Sequence, residues 1–150
     1  MIRISTRGRY ALRAMVDLAQ HGDGGPVLRQ EIARRQEISA DYVAQLFRHL
    51  EAAGLVKGVK GPGGGYRLAG DAARITAGDV IRAVEGPIAA VECILYGPGE
   101  ELACHRVDGC AAHLLWHRLT EAISEILDSV TLQDLADQAL QLAQGEAGLI

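Results

Sequence analysis

Ser39-Ala40-Asp41-Tyr42-Val43-Ala44-Gln45-Leu46-Phe47-Arg48-His49-Leu50 sets the architecture of this chain, together with Gly61-Pro62-Gly63-Gly64-Gly65-Tyr66-Arg67-Leu68 shortly after it. In the first run Val43, Leu46, Phe47 and Leu50 recur at the spacing of one buried helical face, with Ser39 placed to cap the start and Gly54 to stop the end. Tyr42, Gln45, Arg48 and His49 fall mostly on the other face. The spacing predicts a helix over 40–53. In the second run the glycines and proline form a turn between a short strand over 55–60 and a return strand over 66–68, a β-hairpin.

Upstream, Tyr10, Ala11, Ala14, Met15, Leu18 and Ala19 mark one face of a helix over 6–20 that begins with Arg7, Arg9 and Arg13. A shorter helix over 28–35 turns Ile32 and Ala33 inward and joins the 40–53 helix through a few residues. Two helices closely joined, the second carrying exposed polar and basic side chains, are the parts of a helix-turn-helix, and the hairpin is its wing. A phosphate-binding loop is excluded at the glycine run: no Gly-Lys-Ser/Thr follows and no helix opens from the turn.

Downstream, Thr76 caps a helix over 75–85, and Gly86-Pro87 breaks it. Residues 111–130 form the longest helical run, in which Leu115, Leu119, Ala122 and Ile126 make a stripe that Trp116, Ile123, Leu127 and Val130 widen. A small winged domain has too few neighbours to cover so wide a stripe, which predicts a two-fold dimer through this helix. A shorter amphipathic pattern follows over 131–143. The expected organisation is a winged helix-turn-helix over 1–85, a cysteine loop over 86–110, a dimerisation helix and C-terminal helix over 111–143, and a mobile tail over 144–150. The fold class is mainly α with a small β-hairpin wing and a long dimerisation helix.

The net charge of -4 conceals a division: residues 1–70 carry 11 Lys+Arg against 6 Asp+Glu, and residues 71–150 carry 4 against 13. A basic head beside an acidic body suits a polyanion partner despite the acidic total. Arg3, Arg7, Arg9, Arg13 and Asp17 interrupt every apolar run in the first 30 positions, and no run approaches the roughly 18 residues of a membrane span, so a cytoplasmic protein is expected.

Cys93, Cys104 and Cys110 are the only cysteines, and the 92–110 loop that holds them also carries His105, with His113 just beyond. An odd number of cysteines in such a chain argues against a disulfide framework and for free thiols. Thiolates gathered near histidines suit a soft metal or an iron-sulfur cluster, and spacing alone leaves zinc and iron-sulfur both open. A thiol-disulfide or metal-dependent enzyme is disfavoured, because there is no Cys-x-x-Cys, no His-Glu-x-x-His and no nucleophile motif.

The chain resembles the Rrf2 family of bacterial winged-helix regulators. The resemblance rests on Arg7-Gly8-Arg9-Tyr10-Ala11, on Ile38-Ser39 through Leu46-Phe47 and Leu50, and above all on Gly61-Pro62-Gly63-Gly64-Gly65-Tyr66 with Leu68. It extends through 75–84 and continues at His113 with Leu115-Trp116. It implies a homodimeric transcription factor, not an enzyme. By the same resemblance the third helix would enter a major groove of promoter DNA and the wing a minor groove. Ser39, Tyr42, Gln45 and Arg48 would contact bases or phosphates, as would Lys57, Lys60 and the Gly63, Gly64, Gly65 turn, with Arg7 and Arg9 at the start of the first helix. It also implies an iron-sulfur cluster on Cys93, Cys104, Cys110 and His113, with 2Fe-2S favoured over 4Fe-4S by histidine ligation. His105 or a residue of the partner protomer competes with His113, and zinc or direct thiol sensing is the alternative to a cluster. Cys104 and Cys110 keep the family spacing, whereas the gap from Cys93 to Cys104 is longer than usual and makes Cys93 the weakest of the three as a ligand.

Overall fold

The computed structural model describes residues 1–97 and 99–145. The tail expected over 144–150 therefore lies largely outside the described residues, as does Pro98 of the expected Gly97-Pro98-Gly99 turn. Among the described residues six α-helices and one two-stranded hairpin follow each other in the expected order, each within two residues of its expected span. The signals that place them are local. Helix α1 (Thr6–His21) starts on Ser5, whose hydroxyl accepts the Gly8 N–H. Helix α2 (Arg29–Gln36) ends at Glu37 in the left-handed region, and α3 (Ala40–Ala52) starts on Ser39, whose hydroxyl accepts the Tyr42 N–H at 3.0 Å.

Strands β1 (Val56–Val59) and β2 (Gly65–Leu68) pair antiparallel, with Val56 opposite Leu68 and Val59 opposite Gly65. Val27, just before α2, extends this hairpin by exchanging two backbone hydrogen bonds of 2.8 Å with Tyr66. The Tyr66 ring then lies 4.4 Å from that of Phe47, so the wing is seated on α3 rather than free of it.

Helix α4 (Ala77–Glu85) and helix α6 (Leu132–Ala143) each open with a capping box, Thr76 with Asp79 and Thr131 with Asp134. The two starts are stitched together. Ala77 donates to the Val130 carbonyl, Leu132 donates to the Ile75 carbonyl, both at 2.8 Å, and Thr76 bridges Thr131. The end of α5 (Ala111–Ser129) is thereby fixed to the head.

One core holds the fold together: Ala11, Met15, Leu18, Ile32, Val43, Leu46, Phe47, Leu50, Val56, Val80, Val84 and Leu132 are all buried in it. Each large side chain removed from water there contributes roughly 1.5–3 kcal/mol. Leu132 brings α6 into this core, and α6 packs on α1. Helix α5 differs from the rest. Thr120 is its one buried residue among those described, and Leu115 and Ile126 of its apolar stripe are 54% and 66% exposed.

Candidate nucleic-acid interface and cysteine site

The inward side of α3 is fixed by Val43, Leu46, Phe47 and Leu50. At 3.6 residues per turn the line directly opposite runs through Asp41, Gln45, Arg48 and Ala52, and all four are exposed. Asp41, Gln45 and Arg48 have no hydrogen-bond or ion-pair partner among the described residues. His49 and Tyr42 lie to one side of that line. There Ser5, Thr6, Arg7, Tyr42, Gln45 and His49 line a groove between α3 and the start of α1. Tyr42 is half-buried, its ring edge-on to Tyr10 at 6.0 Å, so part of it belongs to the packing of α1 on α3. The Ser39 hydroxyl is engaged as the cap of α3.

On the wing, Lys57 stands directly opposite Arg67, and both are exposed. Two like charges across a strand pair repel each other, a cost that a polyanion laid along the wing would remove. Lys60 is exposed at the start of the turn. The three glycines that follow have different reasons to be glycine. A Cβ on Gly64 would meet the Val59 carbonyl, and one on Gly65 would meet the Val27 carbonyl, whereas Gly63 faces open space. Gly64 and Gly65 thus close the turn and admit Val27 to the sheet.

Arg7 and Arg9 are exposed, yet each is tethered: Arg7 donates to the Val84 carbonyl at 3.1 Å, and Arg9 to the Thr6 hydroxyl at 3.2 Å. Arg7 thereby links the start of α1 to the end of α4. A second tether was not read from the sequence. Asp17, 1% exposed, receives both Nε and Nη2 of Arg35 at 2.8 Å and the Gln36 amide at 2.9 Å. The hydrogen bond that Arg35 donates to Asp17 raises the guanidinium above its ordinary pKa. This pair sets α2 against α1 and hence the angle at which α3 is presented. An acid between Ala14 and Leu18 on the apolar face of α1 was the available signal, since a buried carboxylate needs a partner.

Cys93 sits in the short turn Glu92–Ile94, and its Sγ lies 3.5 Å from Nδ1 of His113 in the first turn of α5. Cys110 caps that helix, and its carbonyl accepts the His113 N–H at 3.1 Å. Cys104 is exposed and so is His105 beside it. All three thiols are free. Three thiols and an imidazole fit a soft metal or cluster in kind. Among the described residues, however, no three His, Cys, Asp or Glu side chains are gathered closely enough to hold a metal ion. The Cys93–His113 contact is the one the structure makes, so the cysteine with the unusual spacing is the one that meets the histidine. Nearby, Ala90 donates to the Thr120 hydroxyl at 3.0 Å and ties the segment before the loop to the middle of α5.

Among the described residues no helix is long and apolar enough to cross a membrane. The family described as "Rrf2: Iron-dependent Transcriptional regulator" matches residues 4–138. The HTH-type transcriptional regulator IscR of Yersinia enterocolitica is 44% identical over 136 residues, which cover 91% of this chain and 80% of that one. Two solved structures are similar in fold. CymR of B. subtilis, titled the global cysteine regulator, aligns with a TM-score of 0.74 at 43% identity over 91% of this chain and 98% of that one. IscR of T. potens aligns with a TM-score of 0.73 at 38% identity over 91% and 88%. With its mainly helical fold, its hairpin wing and these likenesses, the chain belongs to the Rrf2 family of winged-helix transcriptional regulators, a family of non-enzymes.

Proposed function

We propose that this regulator works as a homodimer on promoter DNA, with α3 and the wing as its reading surface, and that it senses iron-sulfur status, oxidants or nitric oxide through a cluster on Cys93, Cys104, Cys110 and His113. The observation that carries this reading is the 3.5 Å contact between Cys93 Sγ and His113 Nδ1, which joins the cysteine loop to the first turn of α5. A bound iron-sulfur cluster would supply a thiolate-ligated centre whose charge and integrity respond to redox chemistry, and a histidine ligand favours the 2Fe-2S type. Cys93 and His113 hold the loop to α5 from one side. Cys110 stands at the helix cap, and with Cys104 it would complete the ligand set. Gain or loss of the cluster would be felt along α5 at its stitched end against α4 and α6. Dimerisation is supported by Leu115 and Ile126, which a single protomer leaves uncovered.

Direct thiol or zinc sensing is the second reading. The likeness to a protein titled the global cysteine regulator favours it, as does the exposed free thiol of Cys104. Anaerobic purification with iron, sulfide and zinc quantitation separates the two. A coloured protein with iron and sulfide is expected, with loss of colour in Cys93→Ala, Cys104→Ala, Cys110→Ala and His113→Ala. A colourless protein with stoichiometric zinc, or with no metal, overturns the cluster.

A further inference from the structure

Three helices of this fold carry an acid in the first turn next to a Ser or Thr cap, and they use it differently. Asp79 of α4 and Asp134 of α6 close capping boxes, their carboxylates accepting the Thr76 and Thr131 N–H groups at 3.0 and 2.9 Å. Asp41 of α3 stands two residues after Ser39 rather than three, so it is not at the position that closes such a box, which Tyr42 holds. The Ser39 hydroxyl alone caps α3, and the Asp41 carboxylate accepts no hydrogen bond and meets no cation among the described residues. Its place is on the outermost line of α3, ahead of Gln45 and Arg48.

An acid on that line is unfavourable wherever the helix faces phosphates alone. A base-edge donor is the partner that reverses the sign, and in the major groove the donor matched to a carboxylate is the cytosine N4 amino group. We propose that Asp41 is a specificity-determining residue that selects one cytosine in each half-site by accepting a hydrogen bond from N4. This inference rests on the reading that α3 enters the major groove. Gln45 follows one turn later, about 6 Å along the axis, and its amide matches adenine N6 and N7. Asp41 and Gln45 therefore read separate base pairs, while Arg48, further along, is free for guanine or phosphate. The acid lowers affinity for every duplex and recovers it where cytosine is present, which is how a repulsive element produces discrimination.

The favourable field at the start of α3 gives Asp41 a purely structural role as well. Base preference separates the two roles, because a helix-stabilising acid changes stability and leaves the selected sequence as it was. The test is selection of a randomised 30-base-pair duplex pool by the full chain and by Asp41→Asn, Asp41→Ala and Arg48→Ala, with thermal melts to confirm folding. The wild type is expected to select a cytosine at one position per half-site by about ten-fold. Asp41→Asn should move that position to adenine and Asp41→Ala should flatten it, both with tighter binding to random duplex. An unchanged motif in both Asp41 variants, with Arg48→Ala weakening binding across all sequences, overturns the role of Asp41 and leaves α3 on the DNA. Unchanged binding and motif in all three variants take α3 off the DNA and overturn both readings.

Discussion

Gly65 has two constraints at once: its φ is +142°, and a Cβ there would enter the Val27 carbonyl. The backbone exchange between Val27 and Tyr66 depends on that approach, and Tyr66 in turn stacks on Phe47 in the core. Gly65→Ala is therefore expected to lower stability by about 2 kcal/mol, measured as a shift in the urea midpoint. Gly63→Ala, with open space around it but a φ of +75°, should cost only the backbone strain and therefore less. In sequence the three glycines read alike, as a turn. Gly64 is held by the nearby Val59 carbonyl, but the demand on Gly65 comes from Val27, nearly forty residues earlier, and no local pattern carries that. Asp17 is a similar case. Its burial could be read from the face it occupies, but its partners Arg35 and Gln36 become visible only once α2 is laid on α1.

Helix spans were legible because their signals are short-range: Ser5, Ser39, Thr76 and Thr131 each accept the backbone N–H three residues on. How the helices assort was less so. That α6 returns to α1 and sends Leu132 into the core follows from long-range packing that a period of 3.6 residues does not encode, whereas the width of its apolar stripe already marked α5 as a helix with too few neighbours to cover it. Ile126→Glu places a charge on the uncovered stripe of α5. It should give a monomer by sedimentation, with the helix content of the folded chain retained. The join between α4 and α5 is the Arg82–Asp128 pair, two parallel bonds of 2.7 and 2.8 Å, and Gly78 leaves the room in which Asp128 sits. Both members are partly exposed, so a double-mutant cycle should find a coupling below about 1 kcal/mol. The hydrogen bond from Arg82 holds the Asp128 carboxyl below its ordinary pKa. The coupling is therefore complete above the usual carboxylate pKa and is lost as pH falls through the lowered value, and repeating the cycle in acid should show it vanish.

Within the basic half the cations divide between engaged and free: Arg7, Arg9, Arg13, Arg34 and Arg35 are bonded within the fold, whereas Arg48, Lys57, Lys60 and Arg67, on α3 and the wing, join Arg3 and Arg29 in having no side-chain partner among the described residues. Log affinity for a duplex should fall steeply with log salt, and Lys60→Ala should reduce that slope by about 1, as read by fluorescence anisotropy across a salt series. An unchanged slope would remove Lys60 from the phosphate contacts. The cysteines were the hardest part to read, since spacing ranks ligands only if the loop path is known, and the path brings Cys93 rather than Cys104 to His113. The stitch between Thr76 and Thr131 gives that loop a mechanical connection to the head at the far end of α5. Such a connection works in both directions: if ligand capture by the loop changes the affinity for an operator by some factor, operator DNA must change the loop's hold on its ligand by the same factor. A promoter occupied by this regulator would then be a place where the sensor itself is retuned, keeping its ligand longer or releasing it sooner than protein free in solution.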